Sequence, residues 1–250
     1  MNTAGEPRQD RRGTSERALQ EAGADEIRAA HAALVQRPDF PCVGAKSALR
    51  RDGMRIEVFD ELAGPATAPL LRAMLAEFSV AHPAEADAGR PLPRFATLLA
   101  VFRTPLPPDE ETFERLLWRQ LQHLRAVDDT PWDEAFSSDP TDPRFGFSVA
   151  GRAFFVVGLH PAASRLARRA PLPTLVFNPH SQFEHLRAGD RYVRLRDVIR
   201  TRDVALQGSI NPMAQDFGAR SEARQYSGRA VPDDWRPPYD PGIAEAGGAQ

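Results

Sequence analysis

The chain has 250 residues, of which 42% are hydrophobic and 26% charged, and this composition is typical of a globular protein large enough to enclose a ligand pocket. The formal net charge of -2 argues against a broad basic nucleic-acid surface. The single cysteine, Cys42, excludes an intramolecular disulfide and a zinc site built only of cysteines. We find no N-terminal apolar run and no stretch of membrane-spanning length, so we expect a cytoplasmic protein that binds neither membranes nor nucleic acids.

The two ends of the chain differ in composition from the middle. Residues 1–23 are polar with few apolar anchors, and residues 240–250 are rich in proline, glycine and alanine. Such segments bury too little apolar surface to fold, so we expect two disordered tails. Between them we find no repeat and no convincing linker, and the sequence therefore predicts a single domain over residues 24–239.

Three segments have the residue spacing of amphipathic helices. Their apolar residues recur on one face, and the predicted helices are Ala24–Val35, Pro69–Val80 and Glu110–Val127. Asp109 precedes the third helix, where its side chain can accept a hydrogen bond from the first turn and so act as a cap.

Five segments rich in β-branched and aromatic residues predict strands, and these are Arg55–Asp60, Phe95–Phe102, Phe145–Val149, Ala153–Leu159 and Thr174–Asn178. The sequence Ala150-Gly151-Arg152, between the third and fourth strands, suits a hairpin turn. Because a hairpin pairs its strands antiparallel, we predict an α+β fold: a mixed, partly antiparallel sheet packed by helices.

The first of three polar segments follows the strand Ala153–Leu159. His160 comes at the end of that buried strand, where a polar side chain can face a pocket, and the proline after it suits the first turn of a helix. On such a helix Arg165 and Arg169 would share one side with Arg168 nearby, and this cluster could hold two carboxylates or a phosphate. A capping histidine and a solvated basic face would leave the same pattern.

The second polar segment is predicted to be a helix that begins after a cap at Asn178 and runs to Arg187. His180 and Glu184 fall on one face of it, at a spacing that would place two ligands on a metal. No third ligand is evident nearby, and a helix of mixed charge would look similar.

The third polar segment, 202–229, lacks a periodic apolar pattern but contains too many apolar and aromatic residues for a disordered tail. A long ordered loop of this kind is more often functional than connective, and it carries Asp216 and Glu222. A C-terminal wrap that only buries apolar surface is the alternative.

Near the N-terminus, Gly44-Ala45-Lys46-Ser47 shares part of a phosphate-binding loop motif, but the upstream glycine is absent and we reject this interpretation. Cys42 could be a reactive thiolate, although a free cysteine is more often a small buried apolar residue. Neither a nucleophile elbow nor a dinucleotide-binding fingerprint is present.

Taken together, these segments resemble the YqcI/YcgG family of bacterial proteins. The resemblance covers nearly the whole chain apart from both tails, and several long motifs occur in the family's order. The motifs are Phe40-Pro41-Cys42-x-Gly44-Ala45, Gly158-Leu159-His160-Pro161-x-x-Ser164-Arg165-x-Ala167-Arg168, Asn178-x-His180-x-Gln182-Phe183-Glu184-x-Leu186-Arg187, and Leu206-Gln207-Gly208-Ser209-Ile210-Asn211-Pro212-Met213 through Arg229.

The resemblance implies a function that the residues alone do not. Some relatives resemble haem-dependent N-hydroxylases of guanidino compounds, including an enzyme of guanitoxin biosynthesis. On this reading the protein binds haem b (heme b), and one oxygen atom of O2 enters a guanidine N–H of a small arginine-like substrate. The electrons come from an unidentified external donor. The chain would supply the axial ligand, the orientation and the electrostatics.

The same resemblance, with the residue spacing, suggests which side chains hold the cofactor. His160 is the favoured axial ligand of the iron, and His180 and Cys42 are the alternatives. The arginines that follow His160 could pair with the haem propionates, and these are Arg165, Arg168 and Arg169.

A cationic guanidinium requires planar carboxylate recognition, for which the candidates are Glu184, Asp216 and Glu222. Two other functions stay open, a haem-binding sensor without turnover and a non-haem iron oxygenase that uses His160, His180 and a carboxylate as ligands. A purely structural protein is less favoured because many polar residues fall in positions that look buried. The sequence leaves the oligomeric state open, a homo-oligomer included.

Overall fold

A mixed sheet forms the centre of the structure. The structure is a computed structural model, and it describes residues 8–84, 94–187, 191–214 and 218–239. Within these residues the sheet has five strands, which are β1 (Met54–Glu61), β2 (Thr97–Thr104), β3 (Phe147–Val149), β4 (Arg152–Leu159) and β5 (Thr174–Pro179). The spatial order is β1-β2-β5-β4-β3. The five predicted strands are confirmed, with ends that differ by one or two residues.

Both kinds of strand pairing occur, as predicted for an α+β fold. Strands β1 and β2 run parallel, and every other neighbouring pair is antiparallel. The β3–β4 hairpin turns at Ala150 and Gly151, whose φ angles of 53° and 70° both lie in the left-handed region. Two consecutive residues with positive φ match the right-handed twist of the strands on either side.

Helices pack on the two faces of this sheet within one domain. They are α1 (Arg8–Glu21), α2 (Ala24–Gln36), α3 (Val43–Arg50), α4 (Thr67–Ala81), α5 (Glu110–Ala126), α6 (His180–Arg187), α7 (Arg191–Gln207) and α8 (Ala223–Tyr226). The predicted helices α2, α4 and α5 are confirmed, and the predicted cap is present because the Asp109 carboxylate accepts a 2.7 Å hydrogen bond from the Thr112 N–H. No helix among the described residues is long and apolar enough to cross a membrane.

The two faces of the sheet bury unequal amounts of apolar surface. Alternate residues of β2, such as Leu98 and Phe102, point to a large core shared with α4 and α5. Their neighbours Leu99 and Val101 point to the opposite face, where the fully buried apolar cluster is much smaller. The second face is therefore the one on which space for a ligand remains.

Two expectations need correction. The segment 1–23, expected to be disordered, contains α1, and the Gln20 side chain at its end donates to the Arg103 carbonyl at 2.6 Å. The predicted helix after Pro161 is absent. A 3.0 Å hydrogen bond from the His160 N–H to the Arg168 carbonyl turns the chain back towards β5. Between β4 and β5 the segment therefore contains a single 3-10 turn, Leu166–Arg168.

The hairpin provides a test of this backbone geometry. Left-handed φ at a residue with a Cβ costs about 1 kcal/mol, and asparagine tolerates it better than alanine. We expect Ala150→Asn to raise the free energy of unfolding by up to about 1 kcal/mol, a rise in melting temperature of roughly 2–4 °C for a chain of this size. The measurement is thermal unfolding by circular dichroism.

Gly151→Ala is the matched control, because a Cβ at Gly151 meets nothing within 4 Å and adds only backbone strain at φ +70°. We expect it to lower the melting temperature. If Ala150→Asn also lowers it, the turn geometry is not as described.

Candidate functional site

A cavity of about 260 Å³ lies on the less filled face of the sheet, beneath α2, α3 and α7. Apolar side chains of β2, β4 and β5 form its floor, and these are Leu99, Val157, Leu159 and Val176. The polar part of its wall consists of Cys42, Arg168, Asn178, Arg200, Asp203 and Asn211. This volume lies just below the range of roughly 300–1,000 Å³ that is usual for small-molecule sites.

The cavity exists because α7 covers the sheet without packing closely against it. Along its 17 residues, Asp203 is the one that is buried. Leu195, Ile199 and Arg200 are partly buried and face inward, where each lines either the cavity or a smaller space of about 50 Å³ beside Cys42. A cover of this kind encloses space instead of filling it.

Cys42 lies on the cavity wall at the start of α3. It is the N-cap residue of that helix, and its sulfur accepts a hydrogen bond of 3.4 Å from the Ala45 N–H. Burial raises the pKa of the thiol, while the backbone N–H groups of Ala45 and Gly44 and the charge of Arg168 oppose that rise. The thiol is therefore protonated at neutral pH, at the N-terminus of a helix whose N–H groups favour a negative charge on sulfur.

Arg168 is held on the same wall by backbone carbonyl groups. Its guanidinium donates to the carbonyls of Gly158 at 3.1 Å, Gln225 at 3.0 Å and Tyr226 at 3.3 Å. Burial lowers its pKa to about 10. No carboxylate of the described residues forms an ion pair with it, so an anionic ligand group can take that place in the cavity.

Asp203 is the acidic residue among the described residues that line the cavity. Its Oδ2 accepts from the Arg165 guanidinium at 2.5 Å and from the Asn211 N–H at 3.1 Å, and no described residue donates to Oδ1. Arg165 also donates to Ser209. The pair therefore fastens α7 to the segment after β4 and leaves one carboxylate oxygen for a ligand.

His160, the favoured iron ligand, does not line this cavity. It points to the other face of the sheet, fully buried, and its ring stacks on Phe113 with 4.3 Å between centroids. Neither ring nitrogen has a hydrogen-bond partner among the described residues. Burial lowers the pKa of His160 to about 4, so the ring is neutral at pH 7.

The predicted arginine cluster is also not present, because the segment that carries it is not helical. Arg165 binds Asp203, Arg168 binds carbonyl groups at the cavity, and the Arg169 Nε donates to the Ala163 carbonyl at 2.6 Å. Of the three predicted propionate partners, Arg168 is the one that lines the cavity.

His180 belongs to a separate buried network. Its Nε2 lies 2.9 Å from the Glu222 Oε1, which also accepts a 2.5 Å hydrogen bond from the Tyr226 hydroxyl. His180 and Glu222 border a smaller cavity of about 90 Å³ together with Arg187 and Arg220. The predicted partner Glu184 is exposed instead. Asp216 lies outside the described residues.

The sheet register argues against the non-haem iron alternative. His160 follows the Leu159–Thr174 pair and His180 follows the Pro179–Phe154 pair, so the two histidines lie at opposite ends of β4 and β5. Five residues of strand span about 17 Å, too far for two ligands of one ion. The described residues contain no group of three or more metal-ligating side chains.

Neither Arg200 nor Asp203 was proposed from the sequence as a site residue, although Asp203 lies in the third polar segment. They lie three residues apart on one face of α7, a spacing that would have identified them had the helix been predicted. Helix α7 has no apolar stripe, so the sequence shows no helical repeat of apolar residues there. A larger surface cleft of about 420 Å³ near Trp235 contains none of the predicted site residues.

His160 provides a test that separates an iron ligand from a buried packing residue. Between pH 6.5 and 4, the His160 ring binds fewer protons in the folded protein than in the unfolded chain. Its contribution to the free energy of unfolding is therefore complete above pH 6.5 and is lost as the pH falls through 4. We expect His160→Phe to keep or raise stability at pH 7, because an unpaired polar ring is replaced by an apolar one of similar shape.

In denaturant titrations across that pH range, the wild type should lose about 3 kcal/mol more of its unfolding free energy than His160→Phe. Equal losses in the two proteins would contradict the buried, neutral state of His160.

Comparison with known proteins agrees with the resemblance seen in the sequence. The chain is 28% identical over 196 residues to "Uncharacterized protein YcgG" of Bacillus subtilis (strain 168), which covers 75% of each protein. It is 29% identical over 152 residues to "Uncharacterized protein YqcI" of the same organism, covering 59% of this chain and 57% of that protein.

A third relative, "Putative N(omega)-hydroxy-L-arginine synthase DcsA" of Streptomyces lavendulae, is 29% identical over 190 residues, which cover 73% of this chain and 68% of that protein. No solved structure is significantly similar to the chain. The sequence profile of the YqcI/YcgG family matches residues 31–240, nearly all of the domain that contains the cavity. The chain therefore belongs to the YqcI/YcgG family.

Proposed function

We propose that this protein is a haem-dependent N-hydroxylase of a small, arginine-like guanidino compound. The observation that carries the proposal is the cavity wall on which Cys42 and Arg168 lie together above an apolar floor. The name of the relative from Streptomyces lavendulae, a hydroxyarginine synthase, supports the reaction class.

The donor groups of the cavity fit haem b. A thiolate is one of the common axial ligands of haem iron, and Cys42 is the predicted ligand that lines the cavity. Arg168 and Arg200 are suited to bind the two propionates. A tetrapyrrole is larger than the present 260 Å³, so binding requires the cover to shift. The part of α7 before Asp203 contains no buried residue, and it can shift while the Arg165–Asp203 pair stays in place.

The reaction balances with O2 and an external two-electron donor. When bound, haem activates O2 and supplies the oxygen atom that is inserted into the guanidine N–H, while the second oxygen atom leaves as water. Two protons and two electrons complete the balance, and the electrons come from a donor outside this chain.

The chain's own residues bind and orient the reactants. The N-terminus of α3 and the charge of Arg168 stabilise negative charge on the Cys42 sulfur. The apolar floor excludes water, which strengthens every charged contact in the cavity. Asp203 Oδ1 accepts the guanidinium of the substrate, while Arg165 holds the carboxylate in place through Oδ2.

Substitution of Cys42 tests the cofactor and its ligand. Serine is a good N-cap, so Cys42→Ser should preserve α3 while removing the sulfur. Wild-type protein reconstituted with haemin should show a Soret band and the red-shifted reduced carbon monoxide complex of thiolate ligation, and we expect Cys42→Ser to lose both.

His160→Phe is the matched control and should keep the wild-type spectrum. A spectrum that changes in His160→Phe and not in Cys42→Ser would overturn the ligand assignment. Haem binding without oxygen consumption in the presence of reductant and arginine would favour the sensor function.

Asp203 provides a separate test of substrate recognition. Asp203→Asn keeps an oxygen acceptor for Arg165 and Asn211 but removes the negative charge. Loss of a charge-assisted hydrogen bond costs about 1.5–3 kcal/mol, so the KM for arginine should rise roughly 10- to 100-fold with the Soret band unchanged.

Glu184→Gln, which alters an exposed carboxylate, should leave KM as in the wild type. If Glu184→Gln raises KM and Asp203→Asn does not, the recognition group is Glu184.

A further inference from the structure

The outer surface above the Cys42 cavity is strongly basic. Helices α3 and α7 together contain seven basic residues. Arg200 lines the cavity, and the other six are Lys46, Arg50, Arg191, Arg194, Arg196 and Arg202. The two helices contain two acidic residues, and both form ion pairs, Asp197 with Arg196 at 3.1 Å and Asp203 with Arg165 at 2.5 Å. In a chain of net charge -2, this is a local concentration of positive charge, which we call the α3–α7 surface.

The positive charges lie close enough to repel one another. The pKa of Lys46 is lowered by burial and then by the charges of Arg202 and Arg50, one from each helix, while the charge of Asp39 opposes this shift. The Lys46 ammonium donates to the carbonyl oxygens of Arg37 at 2.6 Å and Pro38 at 3.1 Å, which are neutral acceptors. Arg50 and Arg202 are both exposed. Mutual repulsion of this kind is relieved when an anionic partner binds.

Exposed apolar side chains accompany these charges. Val193, Val198 and Val204 on α7 are 46%, 45% and 39% exposed, and Ile210 just beyond the helix is 51% exposed. Apolar residues mixed with arginine on an accessible surface are typical of protein interaction sites.

The chemistry of the proposed reaction identifies the partner. We propose that the α3–α7 surface docks an acidic electron-carrier protein of the ferredoxin class. This inference rests on the proposed function, because that reaction needs two electrons that the chain does not supply. Cys42, the proposed iron ligand, caps α3 directly under this surface, so a carrier docked there lies on a short path to the site.

The physical character of the surface suits a transient encounter. Opposite charges steer association and raise its rate by about 10- to 1,000-fold at low salt, and electron-transfer complexes bury less than about 1,200 Å². Nucleic acid is less favoured as the partner for two reasons. Exposed valines lie between the arginines of the surface, and the chain as a whole carries a negative net charge.

Charge reversal tests the docking surface. The full-length protein is titrated with a fluorescently labelled plant-type ferredoxin at low salt and at several-fold higher salt. We expect Arg50→Glu and Arg202→Glu each to weaken binding about 10-fold or more, and high salt to weaken wild-type binding similarly. Arg115→Glu is the matched control, since Arg115 is 58% exposed on α5, across the sheet, and it should change affinity less than about twofold.

Several outcomes would overturn the inference. These are an absence of salt-dependent ferredoxin binding, an equal loss in Arg115→Glu, or salt-dependent binding of duplex DNA in place of ferredoxin. The binding measurement does not require haem, so it is independent of the proposed function.

Turnover without a protein carrier separates the two proposals. If haemin-loaded protein hydroxylates arginine with hydrogen peroxide, which replaces O2 and both electrons, while ferredoxin does not bind, the docking inference fails and the proposed function stands. If ferredoxin binds at this surface and haemin does not bind the protein, the proposed function fails and the docking surface stands.

Discussion

The sheet must be covered on both faces, and the chain provides apolar side chains for only one of them in full. On the face of α4 and α5, alternate strand residues such as Phe102 and Phe154 build a close-packed core. On the other face the buried cluster is small, and a cavity remains beneath α7. This difference in packing between the two faces determines where each proposed functional group lies. A polar side chain on the second face borders the cavity, whereas a polar side chain on the first face is surrounded by packed aromatic rings.

The ion pair of Arg165 and Asp203 holds the cover of this cavity in place. A buried pair of this kind contributes little net stability, since the desolvation of two charges offsets most of their attraction, but it strongly specifies one arrangement of the groups it joins. Here it fixes α7 relative to the segment after β4. One oxygen of the Asp203 carboxylate binds Arg165, and the other oxygen is the group that we propose accepts the substrate guanidinium.

The sequence predicted the elements whose burial is periodic and failed where structure depends on distant partners. Helix α5 has a clear apolar stripe and an Asp109 cap, so both its existence and its start were predictable. Helix α7 has no such stripe, because it covers a cavity, and its cavity-lining residues Arg200 and Asp203 were not among the predicted site residues. The spacing of residues could not show that His160 faces Phe113 instead of the cavity.

Arg168 connects the cavity to the far end of the chain. Its guanidinium is held by the carbonyls of Gln225 and Tyr226, and beyond them Glu114 binds Ser227 at 2.9 Å and the guanidinium of Arg229. A ligand that contacts Arg168 therefore also favours the docked state of this C-terminal segment. By thermodynamic linkage, occupancy of the cavity and protection of the segment from proteolysis rise together, although the segment does not itself enclose the ligand.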